Sequence, residues 1–212
     1  TPLTAISGYS ELIKTGMASD EDVRRFAGEI HKNSSRLLTL INDIIRLSQL
    51  DAESMDVAYT KLNLYQMAEA CVDMLQITAE KHDVMLRLEG GPCTICANRQ
   101  MIDELIYNLC DNAIRYNNPG GSVIVKVYME KEKTVLSVWD TGIGIPKVYQ
   151  KRIFERFYRV DKSRSKSTGG TGLGLAIVKH IVSQHHARLE LESEEGIGTK
   201  ICVYFPKDSK ME

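Results

Sequence analysis

The chain has 212 residues, which is long for one domain and short for two large ones. Its 27 basic and 28 acidic residues leave a formal net charge of −1, so no basic field draws it to nucleic acid or to an anionic membrane. No apolar run approaches the roughly 18–20 residues that cross a bilayer, no signal peptide is recognisable, and the five scattered cysteines suit a reducing cytoplasm. We therefore expect cytoplasmic residues that contact neither nucleic acid nor membrane.

The first fifty residues have the apolar spacing of a helical hairpin. The pattern of Pro2–Lys14 ends near Gly16, and Met17–Asp22 is predicted to be the turn, with Ser19 or Asp20 as the helix cap. A helix of about 30 residues follows, with a heptad seam formed by Val23, Ala27, Ile30, Ser34, Leu37, Ile41, Ile44 and Ser48. This stripe either packs on its own domain or, as we favour, forms half of a four-helix bundle that a second chain completes.

From Asp56 onward the periodicity alternates between strands and helices. Strands are predicted at Val57–Leu62, Val84–Leu88, Thr94–Ala97, Ser122–Glu130, Thr134–Trp139, Arg188–Ser193 and Thr199–Phe205. Helices are predicted at Leu64–Lys81, around Ile102–Ala113 and at about Thr171–His186, and a turn is predicted at Lys131–Lys133. Residues 147–170 lack periodicity and are predicted to form a functional loop or lid. The expected fold class is α+β: a hairpin domain over 1–52, then a two-layer sandwich over 53–212, in which a mixed sheet carries about three helices.

A first motif, NLCDNAIRYN at Asn108–Asn117, places two amides on one face of a helix. Asn108 and Asn112 are four residues apart, and the apolar side chains occupy the opposite face. An amide oxygen is a suitable hard ligand for Mg²⁺ that already carries phosphate oxygens. Arg115 and Tyr116 continue toward the helix end, where they reach phosphate. The alternative is that the asparagines are solvated helix residues, although Asn is a poor helix former.

A second motif, DTGIGIP at Asp140–Pro146, follows an apolar strand. A carboxylate at a strand end beside glycines accepts a hydrogen bond from an exocyclic amine, which adenine offers and guanine does not. Gly142 and Gly144 allow the backbone to pass close to a flat base. Taken alone, the motif is as consistent with a plain turn.

A third motif, GGTGLGLAIVKHI at Gly169–Ile181, begins with a glycine-rich loop that opens a helix. Bare backbone N–H groups and the helix dipole suit phosphate binding there. The loop is not a P-loop, because no Gly-Lys-Ser/Thr follows. Taken together, the three motifs predict a site for Mg²⁺ and ATP.

In this order, with FERFYRVD at Phe154–Asp161 between the last two, the motifs resemble the N, G1, F and G2 boxes of bacterial sensor histidine kinases. The ATP-binding domain of that family has a Bergerat-type fold and belongs to the gyrase/chaperone/histidine-kinase/mismatch-repair ATPase superfamily. Residues 1–50 resemble the family's dimerisation and phosphotransfer hairpin. The resemblance therefore implies a homodimer formed through the hairpin, a response regulator receiver domain as partner, and a parent protein anchored in the bacterial cell membrane.

The resemblance also implies roles for individual residues. On the phosphate side these are Asn112 as Mg²⁺ ligand, Asn108 beside it, Arg115, Tyr116, the lid arginine Arg159, and the loop Gly170, Thr171, Gly172, Leu173 and Gly174. On the adenine side they are Asp140, Gly142 and Gly144, with Thr199 supporting Asp140 through water. Asn108, Asn112 and Arg159 are the residues that the resemblance assigns to catalysis.

One position separates the enzyme classes of the superfamily. In its hydrolases a Glu that activates water lies one turn before the metal-binding Asn, but here that place is Asn108, which cannot act as a base. This favours in-line transfer of the γ-phosphate to an imidazole over hydrolysis. The remaining alternatives are a degenerate scaffold that binds nucleotide without transfer, an ATP-hydrolysing relative and a serine-directed anti-sigma kinase.

The acceptor histidine of the family lies in a His-Glu-x-x-Thr-Pro-Leu pattern, and the chain opens on Thr1-Pro2-Leu3 without a starting methionine. We therefore expect a part of a longer protein, with the acceptor four residues before Thr1. Solvated or structural roles are expected for the five histidines present, which are His31, His82, His180, His185 and His186. As given, the polypeptide is expected to bind ATP without phosphorylating itself.

Overall fold

The computed structural model describes residues 2–51, 58–160 and 170–207. The chain divides into two compact units, one built on residues 1–52 and the other on most of the residues from 53 onward. We call residues 2–51 the helical unit, and residues 58–160 together with 172–207 the sheet unit. None of the described helices combines the length and the hydropathy that a membrane span requires.

The helical unit is a pair of helices, α1 at Pro2–Lys14 and α2 at Asp20–Asp51. Of the two predicted caps, the structure selects Ser19, whose hydroxyl accepts a hydrogen bond from the Asp22 N–H at 3.2 Å and donates one to the Asp22 carboxylate at 2.7 Å. Tyr9 and Phe26 stack between the helices with ring centroids 5.0 Å apart. This contact joins α1 to α2 near the turn.

The predicted seam of α2 is half-buried at Val23, Ile30 and Leu37 and exposed toward the C-terminal end of the helix. Ile41 and Ile44 are 43% and 42% exposed, and neighbouring Leu38 is 61% exposed. No residue of α1 is buried. The two helices therefore do not enclose an apolar core between themselves.

The sheet unit is built on a five-stranded sheet with strand order β2-β4-β5-β7-β6, and β1 pairs with β3 in a separate two-stranded sheet. The strands are β1 Thr60–Asn63, β2 Val84–Gly90, β3 Thr94–Ala97, β4 Gly121–Glu130, β5 Lys133–Asp140, β6 Arg188–Glu194 and β7 Gly198–Phe205. Only the β2–β4 pair is parallel within this sheet, so the predicted mixed sheet is confirmed.

In the described part of the chain three helices pack on the sheet: α3 Leu64–Lys81, α4 Arg99–Arg115 and α5 Gly174–Gln184. Their buried side chains meet alternate strand residues, for example the cross-strand row Val125, Val138 and Ile201, because successive strand side chains point to opposite faces. The α+β class and the three helices agree with the sequence prediction.

Ala58 and Tyr59, the first described residues of the sheet unit, are hydrogen-bonded to residues at the ends of α4 and α5. The Tyr59 hydroxyl donates to the carbonyl of Gln184, the last residue of α5, at 3.0 Å. The Ala58 carbonyl accepts a hydrogen bond from the side chain of Asn98 at 3.3 Å, and Asn98 is the N-cap of α4.

Several predicted boundaries differ from the observed ones, mostly by one or two residues, and three of the differences are informative. The first strand begins at Thr60, and Val57 lies outside the described residues. The third helix of the sheet unit begins at Gly174, because Gly172 has a left-handed φ of 76° that the helix cannot continue. The β4–β5 turn consists of Lys131 and Glu132, both with positive φ, so it is one residue shorter than predicted.

Candidate functional site

The two predicted amides lie on the polar face of α4 and meet the start of α5. Asn98 caps α4 by accepting the Met101 N–H at 3.0 Å, and the apolar face of the helix fixes its rotation. The Asn108 side chain donates to the Glu104 carbonyl at 2.8 Å. A Cβ on Gly174 would lie 2.7 Å from the Asn108 Oδ1 and 3.5 Å from the Asn112 Nδ2. The structure therefore brings the first and third motifs into contact.

Arg115, at the end of α4, is held by a neighbour that the sequence prediction omitted. The Asp111 Oδ2 accepts a hydrogen bond from the Arg115 Nε at 2.6 Å. Burial lowers the pKa of Arg115, but the hydrogen bond and charge of Asp111 outweigh it and the pKa is raised overall. The buried Asp111 Oδ1 has no hydrogen-bond partner in the described chain. The four-residue spacing of Asp111 and Arg115 is the signal that could have identified the pair.

Asp140 ends β5 and is 8% exposed. Its Oδ1 accepts the N–H groups of Gly142 at 2.8 Å and Thr199 at 3.2 Å. Burial raises the pKa of Asp140 to about 6, although the two N–H donors act in the opposite direction. The Thr199 contact is direct and uses the backbone, because β5 and β7 pair Asp140 with Thr199 in register.

The Asp140 loop, residues 141–146, lies against α4 and β6. The Ile143 N–H donates to the Tyr116 carbonyl at 3.0 Å, which connects the second motif to the end of the first. A Cβ on Gly142 would overlap that same carbonyl, and one on Gly144 would overlap the carbonyl of Glu194. The close approach of backbone segments requires glycine at both positions.

The segment that carries Arg159 packs on the glycine loop. The Phe157 N–H donates to the Gly172 carbonyl at 2.9 Å. A Cβ on Gly172 would lie 3.0 Å from the Tyr158 carbonyl oxygen and 3.2 Å from the Arg159 Cγ. The rest of the predicted lid, residues 161–169, lies outside the described residues. The roles of Gly170, Thr171 and Leu173 stay predictions.

Two further polar residues, Ser193 and Gln150, contact the Asp140 loop and were not predicted from the sequence. The Ser193 hydroxyl accepts the Ile145 N–H at 2.8 Å, and the Gln150 side chain donates to the carbonyls of Ile145 and Ser193. A lone Ser in a strand and a Gln in an irregular segment carry no local pattern. Gln150 lies only five residues after Ile145, but Ser193 lies 48 residues after it and comes close only once the chain has folded.

Family models match both parts of the chain. The histidine kinase-, DNA gyrase B- and HSP90-like ATPase model matches residues 97–209, and the His Kinase A (phospho-acceptor) domain model matches residues 1–53. Together they cover the helical unit and every motif of the candidate site.

Curated relatives resemble the chain along its whole length. The sensor histidine kinase WalK of Bacillus subtilis is 33% identical over 216 residues, covering 100% of this chain and 35% of that protein. The phosphate regulon sensor protein PhoR of Pseudomonas aeruginosa is 32% identical over 210 residues, covering 97% of this chain and 47% of that protein. The chain thus spans about a third to a half of these two relatives.

Solved structures share the fold. The Acinetobacter baumannii histidine kinase AdeS matches with a TM-score of 0.73 and 20% identity, covering 99% of this chain and 96% of that one. The histidine kinase ThkA, solved in complex with the response regulator protein TrrA, matches with a TM-score of 0.76 and 23% identity, covering 98% of this chain and 58% of that one. At these identities the likeness concerns the fold.

Proposed function

Because the chain belongs to the family of histidine kinase-, DNA gyrase B- and HSP90-like ATPases and carries a His Kinase A domain before its ATPase domain, we propose that it is the kinase core of a two-component sensor. It binds Mg·ATP and transfers the γ-phosphate to a histidine. The observation that carries the proposal is that the second and third motifs both contact the first motif, which lies on α4 and its C-cap. Gly174 meets Asn108 at one point of this helix, and Ile143 meets Tyr116 at its end.

The phosphate side of the site is formed by α4, the start of α5 and the described part of the lid that carries Arg159. Asn112 is the proposed Mg²⁺ ligand, acting together with phosphate oxygens, and Asn108 stands beside it. Arg115, oriented by Asp111, and Arg159 supply positive charge to the phosphates. The proposed phosphate loop, Gly170–Gly174, leads into the N-terminus of α5, where backbone N–H groups and the helix dipole favour anions.

The adenine side is centred on Asp140. Its Oδ1 is engaged by two N–H groups, while its Oδ2 accepts no hydrogen bond from the described residues. Oδ2 is thus suited to accept the exocyclic amine of adenine. Gly142 and Gly144 carry no side chain, so at these two positions the backbone of the adjoining loop can lie close to the base.

Transfer is favoured over hydrolysis by the position of Asn108. Asn108 lies one turn before Asn112, and its side-chain amide is fixed by a hydrogen bond to the Glu104 carbonyl at 2.8 Å. An amide does not deprotonate water, so that position lacks a general base. Positioning and charge neutralisation then carry the reaction, as phosphoryl transfer requires.

The proposed domains are 1–52 for dimerisation and phosphotransfer and 53–212 for ATP binding. The exposed seam of α2, including Ile41 and Ile44, pairs with a second copy into a four-helix bundle. The acceptor histidine is the one that the family pattern puts four residues before Thr1, in a parent protein anchored in the cell membrane. The response regulator receiver domain then takes the phosphate, a partnership supported by the ThkA–TrrA complex.

Two measurements test the proposal. Titration with a fluorescent ATP analogue should show Mg²⁺-dependent binding that Asn112→Ala abolishes, and binding without dependence on Mg²⁺ contradicts the metal assignment. The longer parent chain, incubated with labelled ATP, should acquire acid-labile, base-stable label. Acid-stable label indicates transfer to serine or threonine. Nucleotide binding without label indicates a scaffold, and rapid phosphate release without label indicates a hydrolase. Each of these three results refutes the histidine kinase.

A further inference from the structure

We propose that Ser193 and Gln150 are positioning residues that hold the Asp140 loop in its nucleotide-binding conformation. The inference rests on the proposed function, since it concerns the adenine side of that site. Neither residue belongs to the motifs from which the site was predicted. They act through Asp140 and its loop rather than by contacting the nucleotide.

Ser193 lies at the centre of a hydrogen-bond cluster between the Asp140 loop and β7. Its hydroxyl accepts the Ile145 N–H at 2.8 Å and donates to the Gly198 carbonyl, which lies 3.0 Å away. It also lies 2.9 Å from the Thr199 hydroxyl. One side chain on β6 therefore contacts both the loop and the residue of β7 that hydrogen-bonds Asp140.

Gln150 adds a second connection from the segment that leads toward Arg159. Its side-chain amide donates to the Ile145 carbonyl and to the Ser193 carbonyl, both at 2.9 Å. Ile145 is thus held on both sides of its peptide unit, at its N–H by Ser193 and at its carbonyl by Gln150. The loop has no regular secondary structure of its own, so these bonds fix its position at Ile145, as the backbone bonds of Ile143 to Tyr116 and Gly196 do at its middle.

The same cluster reaches the Asp140 carboxylate. Thr199 donates its backbone N–H to the Asp140 Oδ1 at 3.2 Å, while its hydroxyl contacts Ser193. Removing the Ser193 hydroxyl frees the Thr199 side chain and the Ile145 N–H together. Because Thr199 and the loop are then held by fewer hydrogen bonds, we expect their N–H groups to support the ionised Asp140 carboxylate less well and the pKa of Asp140 to rise.

The test compares Ser193→Ala with two matched variants. Ser137→Ala removes a hydroxyl from β5 that is more deeply buried than that of Ser193 and that, among the described residues, makes no hydrogen bond. Ser193→Thr keeps the hydroxyl on a residue type that strands accept. Affinities for Mg·ATP and for adenosine are measured by calorimetry, and the titration of Asp140 is followed by carboxyl ¹³C NMR in the nucleotide-free protein.

We expect Ser193→Ala to weaken Mg·ATP and adenosine equally, by about tenfold, the order that one or two lost hydrogen bonds supply. The Asp140 titration moves to higher pH, Ser193→Thr restores both properties, and Ser137→Ala changes neither. Gln150→Met, which removes both amide donors, weakens the same two ligands by a smaller factor and serves if Ser193→Ala does not fold.

Two results overturn the inference: unchanged affinity and Asp140 titration in Ser193→Ala, or a loss of Mg·ATP affinity without a matching loss for adenosine. Failure of the proposed function is distinguishable: if the nucleotide site is wrong, the wild-type protein binds neither ligand, and if only the transfer is wrong, the wild-type protein binds both ligands but the parent chain acquires no acid-labile label. The NMR titration of Asp140 still reports, without nucleotide, whether Ser193 supports it.

Discussion

The helical unit and the sheet unit treat their apolar side chains in opposite ways. α1 has 13 residues and none is buried, whereas the 17 residues of α4 include the fully enclosed Ile102, Leu105, Ile106 and Ile114. Both helices have amphipathic sequences, so the pattern alone does not distinguish them. The difference teaches that an amphipathic stripe marks the face of a helix that is suited to burial. Whether that face is buried, and against which partner, depends on the rest of the assembly.

The largest expected effect compares two glycines with similar backbone angles, one in each unit. Gly144 has φ +64° and a Cβ there would overlap the Glu194 carbonyl, whereas Gly16 has φ +70° with nothing within 4 Å of the added atom. Gly144→Ala should reduce the free energy of unfolding by about 4 kcal/mol and abolish ATP binding, because steric overlap adds to backbone strain. Gly16→Ala should cost only about 1 kcal/mol. Denaturant unfolding measures both, and equal costs would remove the proposed contrast in packing.

The next effect concerns the buried carboxylate of the sheet unit. A pKa of about 6 against the ordinary 3.8 corresponds to about 3 kcal/mol in favour of the neutral carboxyl in the folded state. The contribution of this group to stability is present below pH 3.8 and is lost as pH rises through about 6. Asp140→Asn should therefore unfold at higher denaturant concentration at pH 7, with no gain near pH 3.5, and should lose adenine binding.

For the wild-type protein, the same carboxylate predicts that nucleotide affinity falls as the pH drops below about 6, where Asp140 becomes protonated. The dissociation constant, measured by fluorescence titration at pH 5 and pH 7.5, checks this. If Asp140→Asn binds as tightly as the wild type, the assignment of Asp140 to adenine is wrong.

A smaller effect compares exposed isoleucines of the two units. Ile41 on α2 is 43% exposed and Ile77 on α3 is 64% exposed, but only Ile41 belongs to the heptad seam. Ile41→Asp should raise the dimer dissociation constant at least about tenfold, since it removes an apolar side chain worth about 1.5–3 kcal/mol from the proposed bundle. Ile77→Asp should leave the dimer unchanged. Sedimentation equilibrium measures both, and an equal response of the two variants argues against the seam.

The smallest expected effect concerns His185, a buried histidine of the sheet unit. Its Nδ1 lies 2.8 Å from the Ile181 carbonyl, and its Nε2 accepts the Asn98 N–H at 3.2 Å. Burial lowers the pKa of His185, so the unfolded chain takes up its proton first and stability declines as the pH falls below 6.5. His185→Gln should flatten this decline in thermal unfolding between pH 7 and pH 5, whereas His31→Gln in the helical unit should retain it.

Much of the sheet unit was predictable because its signals are local. Leu64–Lys81 was predicted at the residues where α3 lies, since the periodicity of this segment is visible in the sequence; the structure adds Asn63 as its N-cap. The predicted adenine carboxylate is also buried at a strand end, as its place after an apolar strand indicated.

What the sequence could not supply depends on pairing between distant residues. The β1–β3 sheet pairs Thr60 with Ala97, and the parallel β2–β4 pair joins Val84 to Gly121. Ser193 contacts the Asp140 loop 48 residues earlier in the chain. Such contacts follow from topology, which local periodicity does not encode. The turn at Lys131 and Glu132 was misjudged because neither residue is typical of positive φ.

The hydrogen bonds of Ala58 and Tyr59 attach the first described residues of the sheet unit to two of its helices. Tension along the preceding polypeptide arrives first at these two residues, which are hydrogen-bonded to the cap of α4 and to the last residue of α5. A force applied to the chain before Ala58 would therefore act first on the two helices that carry Asn112 and Gly174. These hydrogen bonds connect the proposed nucleotide site to the start of the sheet unit through α4 and α5.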